Sequence, residues 1–278
     1  MTIHRRQVLA GAALGLTGAA WWPTAALASA DRHDHQYDAL TVLLKRHVKL
    51  GNGGQSSSVN YGALATERTS LQTVLRSLSA ATPAQFTAWS KPQQQAFLIN
   101  AYNAFTLELI LSRFPNLKSI KDLGSFIQSP WKPKWIDLLG GKVSLDDIEH
   151  EMLRARGRYD DPRVHFAVNC ASIGCPGLRE ESFTAERLET QLDEQARRFM
   201  SDRSRNRYNA QRGRLELSKI FDWFREDFTL GHQGISSLAA FAARYADLLA
   251  DAPADREKIR AQKVDIAFLD YDWNLNKA

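Results

Sequence analysis

Between Pro92 and Arg113 the chain carries Phe97, Leu98, Ile99, Tyr102, Phe105, Leu107, Leu109, Ile110 and Leu111. At the turn angle of an α-helix these side chains point in nearly every direction around the axis. A helix that is apolar all round must be covered all round, so the rest of the chain has to pack as a shell about this element. Its start is well marked, with Ser90 at the N-cap, Pro92 in the first turn and Gln93 at the capping-box position. The same helix carries Asn100 and Asn103, which share a face. Buried amides need partners whatever their role. They are either satisfied by neighbouring backbone or used to hold a site loop or a substrate backbone.

The shell is largely helical. Leu40, Leu43, Leu44 and Val48 predict an amphipathic helix over 37–48, and Leu71, Val74, Leu75 and Leu78 a second one after Val59-Asn60-Tyr61. Gly51 to Ser58, rich in Gly and Ser, predicts a flexible loop between them. Thr82-Pro83 signals a helix start, Trp135–Val143 a hairpin about Gly140-Gly141, and Ser144 with Asp147 a cap on a helix over 145–156. Val164–Asn169 alternates like a strand, Thr184 caps a helix to about Met200, and Leu215–Leu217 predicts a short strand. Helices are also expected at 222–228 and 236–249, where Trp223, Phe224 and Phe228 have the spacing of core residues. The expected class is α+β, a helix-dominated single domain with a small β-sheet.

The N-terminus is expected to be an export signal. Arg5-Arg6 precedes a Gly/Ala-rich, weakly apolar run, and Ala26-Leu27-Ala28 supplies small residues at cleavage-site spacing. The paired arginines point to the twin-arginine route. The run is short of the roughly 20 apolar residues that span a bilayer, and no later stretch is long enough either. The expected organisation is a cleaved signal at 1–28, an N-terminal helix and loop at 29–58, and the main domain at 59–278, in a periplasmic or secreted protein. Loss of Arg5 and Arg6 with the signal takes the net charge from +5 to +3. So mild a charge does not call for nucleic acid. A small molecule or peptide is the expected ligand class. The arginines at 197, 198, 203, 205, 207, 212 and 214 read as a solvated loop or a docking face for an anionic polymer.

Both cysteines of the chain, Cys170 and Cys175, lie in a turn-rich loop after 164–169. In an oxidising compartment a Cys170–Cys175 disulfide is the default. The alternative is a thiol nucleophile, which needs a thiolate generated by an imidazole or local positive potential, with loop N–H groups binding an oxyanion. Strand alternation sets His165 and Cys170 on opposite faces, so His150, from another element, competes as the base. On the 145–156 helix Glu149 projects toward the core and His150 lies at its edge, with Asp146 the better local partner for His150. A core-facing carboxylate must be paired or hydrogen-bonded. Glu149 therefore either orients the base or forms an ion pair with Arg163 or Arg179. No C-x-x-C or H-E-x-x-H spacing supports zinc, and there is no P-loop, G-x-S-x-G or dinucleotide fingerprint, so no metal or cofactor is expected.

Several of these segments together resemble the DUF547 family, a domain of unknown function found in exported bacterial proteins and in plant proteins with an N-terminal leucine zipper. They are Val59-Asn-Tyr61, Phe97-Leu-Ile-Asn-Ala-Tyr-Asn103, Ser144–His150, Asp161–Arg179, Leu217-Ser-Lys-Ile-Phe221 and Tyr271-Asp-Trp-Asn-Leu275. The resemblance marks Glu149, His150, His165 and Cys170 as matching the family pattern. It also implies that a disulfide is not the whole role of Cys170, because the plant branch often has another residue where Cys175 stands. Two functions are thus expected in competition. One is a thiol-dependent hydrolase or acyl-transfer enzyme with Cys170 as nucleophile, His150 or His165 as base, and Glu149 or Asp146 as acid, supported by Asn100, Asn103 and Arg163. The other is a non-catalytic binding or envelope-assembly module shaped by the Cys170–Cys175 bridge.

Overall fold

A computed structural model describes residues 33–124 and 129–278; the expected export signal lies outside the described residues. Asp34–Ala278 form one unit built around helix α5 (Lys91–Leu111), of whose 21 residues 16 are buried. Phe97, Leu98, Ile99 and Ile110 are fully enclosed, and each such side chain contributes about 1.5–3 kcal/mol by leaving water. The helix begins as expected, in a complete capping box of Ser90 and Gln93. Around it lie α1 (Asp38–His47), α2 (Tyr61–Thr66), α3 (Arg68–Ser79) and α4 (Pro83–Ala88), the last capped reciprocally by Thr82 and Gln85.

The predicted loop at 51–58 is instead a hairpin. Strand β1 (Val48–Gly51) pairs antiparallel with β2 (Ser56–Val59), from Val48 opposite Val59 to Gly51 opposite Ser56. Gly53 and Gly54, at φ 65° and 94°, make the turn. The serines are ladder residues. The expected boundary at 58/59 falls inside β2, whose last residue is also bonded to the C-terminus through Val59 N–H to Asn276 O at 2.8 Å.

The second hairpin is where it was expected, β3 (Ile136–Leu138) with β4 (Gly141–Val143). Its turn is Leu139-Gly140, one residue before the expected Gly140-Gly141, and both residues have the positive φ that a two-residue hairpin turn requires. The third sheet has order β5-β6-β7: β5 (Arg207–Asn209) and β6 (Arg214–Leu217) are antiparallel, and β7 (Asp265–Phe268) is parallel to β6. Between β6 and β7 the chain makes α8 (Ile220–Trp223), a 3₁₀ turn at Arg225–Thr229, α9 (Leu238–Ala243), α10 (Ala246–Leu249) and α11 (Pro253–Arg260). These cover a second apolar cluster of Phe166, Phe199, Phe221, Phe228 and Phe241.

The arginine-rich stretch is partly exposed, as a solvated stretch would be, but several of its guanidinium groups are tied into ion pairs. Arg207, Arg212 and Arg214 converge on the buried carboxylate of Glu216, Arg198 pairs with Glu180 and Arg205 with Asp202. A buried carboxylate needs such company. Among the described residues no helix is long and apolar enough to cross a membrane.

Candidate functional site

Where the two apolar clusters meet, a cavity of about 180 Å³ opens. Its wall gathers Tyr102 from α5, Asp146, Glu149 and His150, then His165, Cys170 and Cys175, and finally an aromatic rim of Trp131, Trp223, Phe224, Tyr271 and Trp273. Segments far apart in sequence are brought together by two departures from the expected secondary structure.

The first is at 164–169. The expected strand is a helical turn, α6 (Val164–Ala167), followed by extended Val168. Asp161 prepares the turn by accepting the Arg163 N–H at 2.9 Å, with Pro162 just before the N-cap Arg163. The alternation that would separate His165 from Cys170 therefore does not exist, and both line one cavity. The second is at 145–156, where Asp147–Leu153 is a π-helix. Its wider turn, with the Arg154 N–H bonded to Glu149 O at 3.0 Å, advances fewer degrees per residue than an α-helix. Adjacent Glu149 and His150 consequently reach the cavity together.

Asn100 and Asn103 pin the chain that carries the cysteine. Asn100 clamps one residue, donating to Phe183 O and accepting from Phe183 N at 2.8 and 2.9 Å. Asn103 donates to Ala167 O at 2.9 Å and accepts the Asn169 N–H at 2.8 Å. Asn169 in turn donates to Pro176 O at 2.7 Å and accepts the Ala171 N–H at 3.0 Å. Both predicted amides thus hold backbone, Asn103 that of the site loop, and their hydrogen-bonding groups face protein rather than the cavity. Arg163 does not line the cavity: it is buried among Asp161, Glu189 and Asp193 at 2.6–2.7 Å. Arg179 pairs with Glu181 and Glu194. Neither arginine is the partner of Glu149, which stands beside the Tyr102 hydroxyl; burial and that carboxylate's charge push Tyr102 well above its ordinary value.

Cys170 and Cys175 are free thiols, with sulfurs 2.9 Å apart. Cys170 Sγ also contacts Ser172 Oγ at 3.2 Å and the Tyr271 hydroxyl at 3.1 Å. The hydrogen bond with Cys175 first, then those with Ser172 and Tyr271, pull the Cys170 thiol down to about 7 against its burial and the charge of Glu149. Burial and the neighbouring Cys170 push the Cys175 thiol well up. Neither histidine is hydrogen-bonded to Cys170, so the thiolate is stabilised by hydroxyl and thiol donors rather than by an imidazole. Most of the expected oxyanion donors in the loop backbone are already engaged. The N–H groups of Cys170, Ala171, Ile173, Gly174 and Cys175 all donate within the protein.

The two histidines differ. His165 is enclosed, stacked on Phe224 with centroids 4.1 Å apart, and its Nε2 meets Asp227 Oδ2 at 2.7 Å. Burial lowers its pKa, so the ring is held neutral and oriented. Against its own burial, Asp227 is held well below the usual carboxylate range by hydrogen bonds from His165 and Arg154. The acid that orients His165 is therefore Asp227, which was not expected, while the expected local pairing of His150 is with Asp146. His150 accepts a hydrogen bond from the Arg154 guanidinium on Nδ1, which leaves Nε2 as its N–H, 3.6 Å from Asp146 Oδ1. Its lone pair is engaged, which disfavours the expected role of base. Asp227, Arg154, Ser172 and Tyr271 were not singled out from the sequence. Ser172 and Tyr271 lie within segments noted for resemblance, Asp227 and Arg154 outside them.

Among the described residues no group of three or more His, Cys, Asp or Glu could hold a metal ion. The family model described as "Protein of unknown function, DUF547" matches residues 86–200. That span includes Asn100, Asn103, Glu149, His150, His165, Cys170 and Cys175, and is shorter than the resemblance over 59–275. No curated protein and no solved structure matches the chain.

Proposed function

We propose, for a chain whose residues 86–200 match the DUF547 family model, a thiol-dependent hydrolase or acyl-transfer activity with Cys170 as nucleophile. The observation that carries the reading is the Cys170 sulfur on the cavity wall, drawn to about 7 by its contacts with Cys175, Ser172 and Tyr271. A thiol so placed is substantially ionised at neutral pH without an imidazole touching it, which is what nucleophilic attack requires.

The remaining roles follow from what each side chain has left to offer. His165, kept neutral and aimed by Asp227, is the general acid–base group for the leaving atom. His150 presents Nε2–H as a donor to substrate. Glu149 supplies the carboxylate that accepts a proton from the incoming nucleophile in the second half-reaction. The aromatic rim of Trp131, Trp223 and Trp273 favours substrates with an apolar or aromatic acyl part. Export through residues 1–28 would put this chemistry in the periplasm or outside the cell.

A panel of activated aryl esters and thioesters tests it. Turnover by the wild type that Cys170→Ser abolishes and His165→Gln cuts at least tenfold supports the reading. Turnover that survives in Cys170→Ser, or a wild type inert across the panel while Cys170 resists alkylation, refutes it.

A further inference from the structure

Cys175 contributes to acyl transfer only through its hydrogen bond, yet its position suits a second chemistry. Its sulfur is buried, 2.9 Å from Cys170 Sγ, and accepts the Cys170 N–H at 3.0 Å. Cys170 is only half-buried and lies on the cavity wall. The loop joining them is locked to the C-terminal segment. Ile173 and Gly174 donate to Asn274 O and Asp272 O, each at 2.8 Å, and Asn276 donates to Ala171 O at 3.0 Å. Ala171 sits in the left-handed region at φ 62°. A Cβ on Gly174 would stand 2.9 Å from the Tyr271 ring and 3.0 Å from Asp272 backbone, so only glycine allows the loop to lie so close. Arg205 closes the far side by donating to Cys175 O. The entropy of bringing the two sulfurs together has thus been spent in folding.

An accessible thiolate backed by a sheltered thiol is what thiol–disulfide exchange needs. We propose that the cavity also carries out this exchange with small organic disulfides, Cys170 attacking and Cys175 resolving. The Cys170 thiolate forms a bond to one sulfur of the disulfide R–S–S–R, whose S–S bond breaks and releases one thiolate. Cys175 then gives its proton to that thiolate and attacks Cys170 Sγ, forming the Cys170–Cys175 bond and expelling the second thiolate, which takes a proton from solvent. The protein dithiol is oxidised, and one small disulfide is reduced to two thiols. The cavity, about 180 Å³ with aromatic walls, is open at its mouth, so it need admit only the sulfur-bearing end of the disulfide while the leaving half stays outside. The oxidised state has no nucleophile at Cys170, so exchange also turns acyl transfer off until a reductant restores it.

The test uses the reduced full chain with excess oxidised glutathione near neutral pH, acid quenching, and intact and peptide mass. The wild type is expected to form the Cys170–Cys175 disulfide, release two glutathiones per chain and accumulate no mixed disulfide. Cys175→Ser is expected to stop with one glutathione on Cys170, and Cys170→Ser to stay unmodified. A wild type that retains glutathione on Cys170, reacts first at Cys175, or does not react while its near-ultraviolet circular dichroism is native overturns the proposal. The wild-type stoichiometry decides even if Cys175→Ser fails to fold. Loss of exchange with intact ester turnover removes this inference alone, and intact exchange without ester turnover removes only the acyl-transfer reading.

Discussion

Tyr271→Phe isolates one of the three contacts that ionise Cys170. It removes the hydroxyl 3.1 Å from Sγ and keeps the ring, which packs on Trp223 and Trp273 at centroid distances of 4.9 and 4.4 Å. A hydrogen bond to a charged acceptor is worth about 1.5–3 kcal/mol, and a pKa unit corresponds to about 1.4 kcal/mol. Cys175 and Ser172 stay to share the charge, so the low end applies, and the thiol should rise from about 7 to about 8. At pH 7 the ionised fraction then falls from about one half to about one tenth, and alkylation slows roughly fivefold. The assay is the pH dependence of iodoacetamide labelling, read separately on the two cysteine peptides. Cys175 is pushed well up by burial, so its ionisation lies above the range in which Cys170 titrates. A midpoint that does not move, or moves down, refutes the claim that Tyr271 stabilises the thiolate.

Glu149→Gln should act in the opposite direction: the carboxylate's charge raises the Cys170 thiol, so its loss lowers the labelling midpoint and speeds alkylation below pH 7. Asn103→Ala removes two buried hydrogen bonds and strands Ala167 O and Asn169 N. It should cost about 2–4 kcal/mol in urea unfolding, with a higher Cys170 midpoint as the loop loosens. Asp227 is ionised more easily folded than unfolded, so its stabilisation is full above the unfolded carboxyl value of about 3.9 and is lost as pH falls below it. Asp227→Asn should therefore flatten the decline in thermal stability below about pH 4 and reduce turnover by releasing His165. An unchanged acid limb would contradict this.

What was legible in the sequence was local. The capping boxes at Thr82 and Ser90, the all-round apolar helix after Pro92 and the hairpin over 135–143, its turn one residue before the expected Gly140-Gly141, each follow from residues within a few positions of one another. The site was half visible on the same terms, because Glu149, His150, His165 and Cys170 lie within about two dozen positions and do line one cavity. The errors arose where tertiary contacts overrule pattern. Val164–Ala167 has the composition of a strand, but the Asp161-Pro162 start and burial against two clusters make it helical. That dipeptide was the signal that could have revealed it. The π-turn at Asp147–Leu153 has no pattern in its residues, and projecting it as an α-helix separated Glu149 from His150. Asp227 and Tyr271 reach His165 and Cys170 from 62 and 101 residues away, and no spacing rule spans such distances. Their charges and hydroxyls become functional only when the fold brings them in.

The central claim is that Cys170 carries the substrate's acyl group. Its most direct test is acid quenching of the wild type during steady-state turnover of an activated ester, followed by peptide mass mapping. The account predicts an acyl adduct on the peptide holding Cys170, which forms and decays with turnover and is absent from Cys170→Ser. Turnover with no adduct on Cys170, or with the acyl group on another residue, would contradict it.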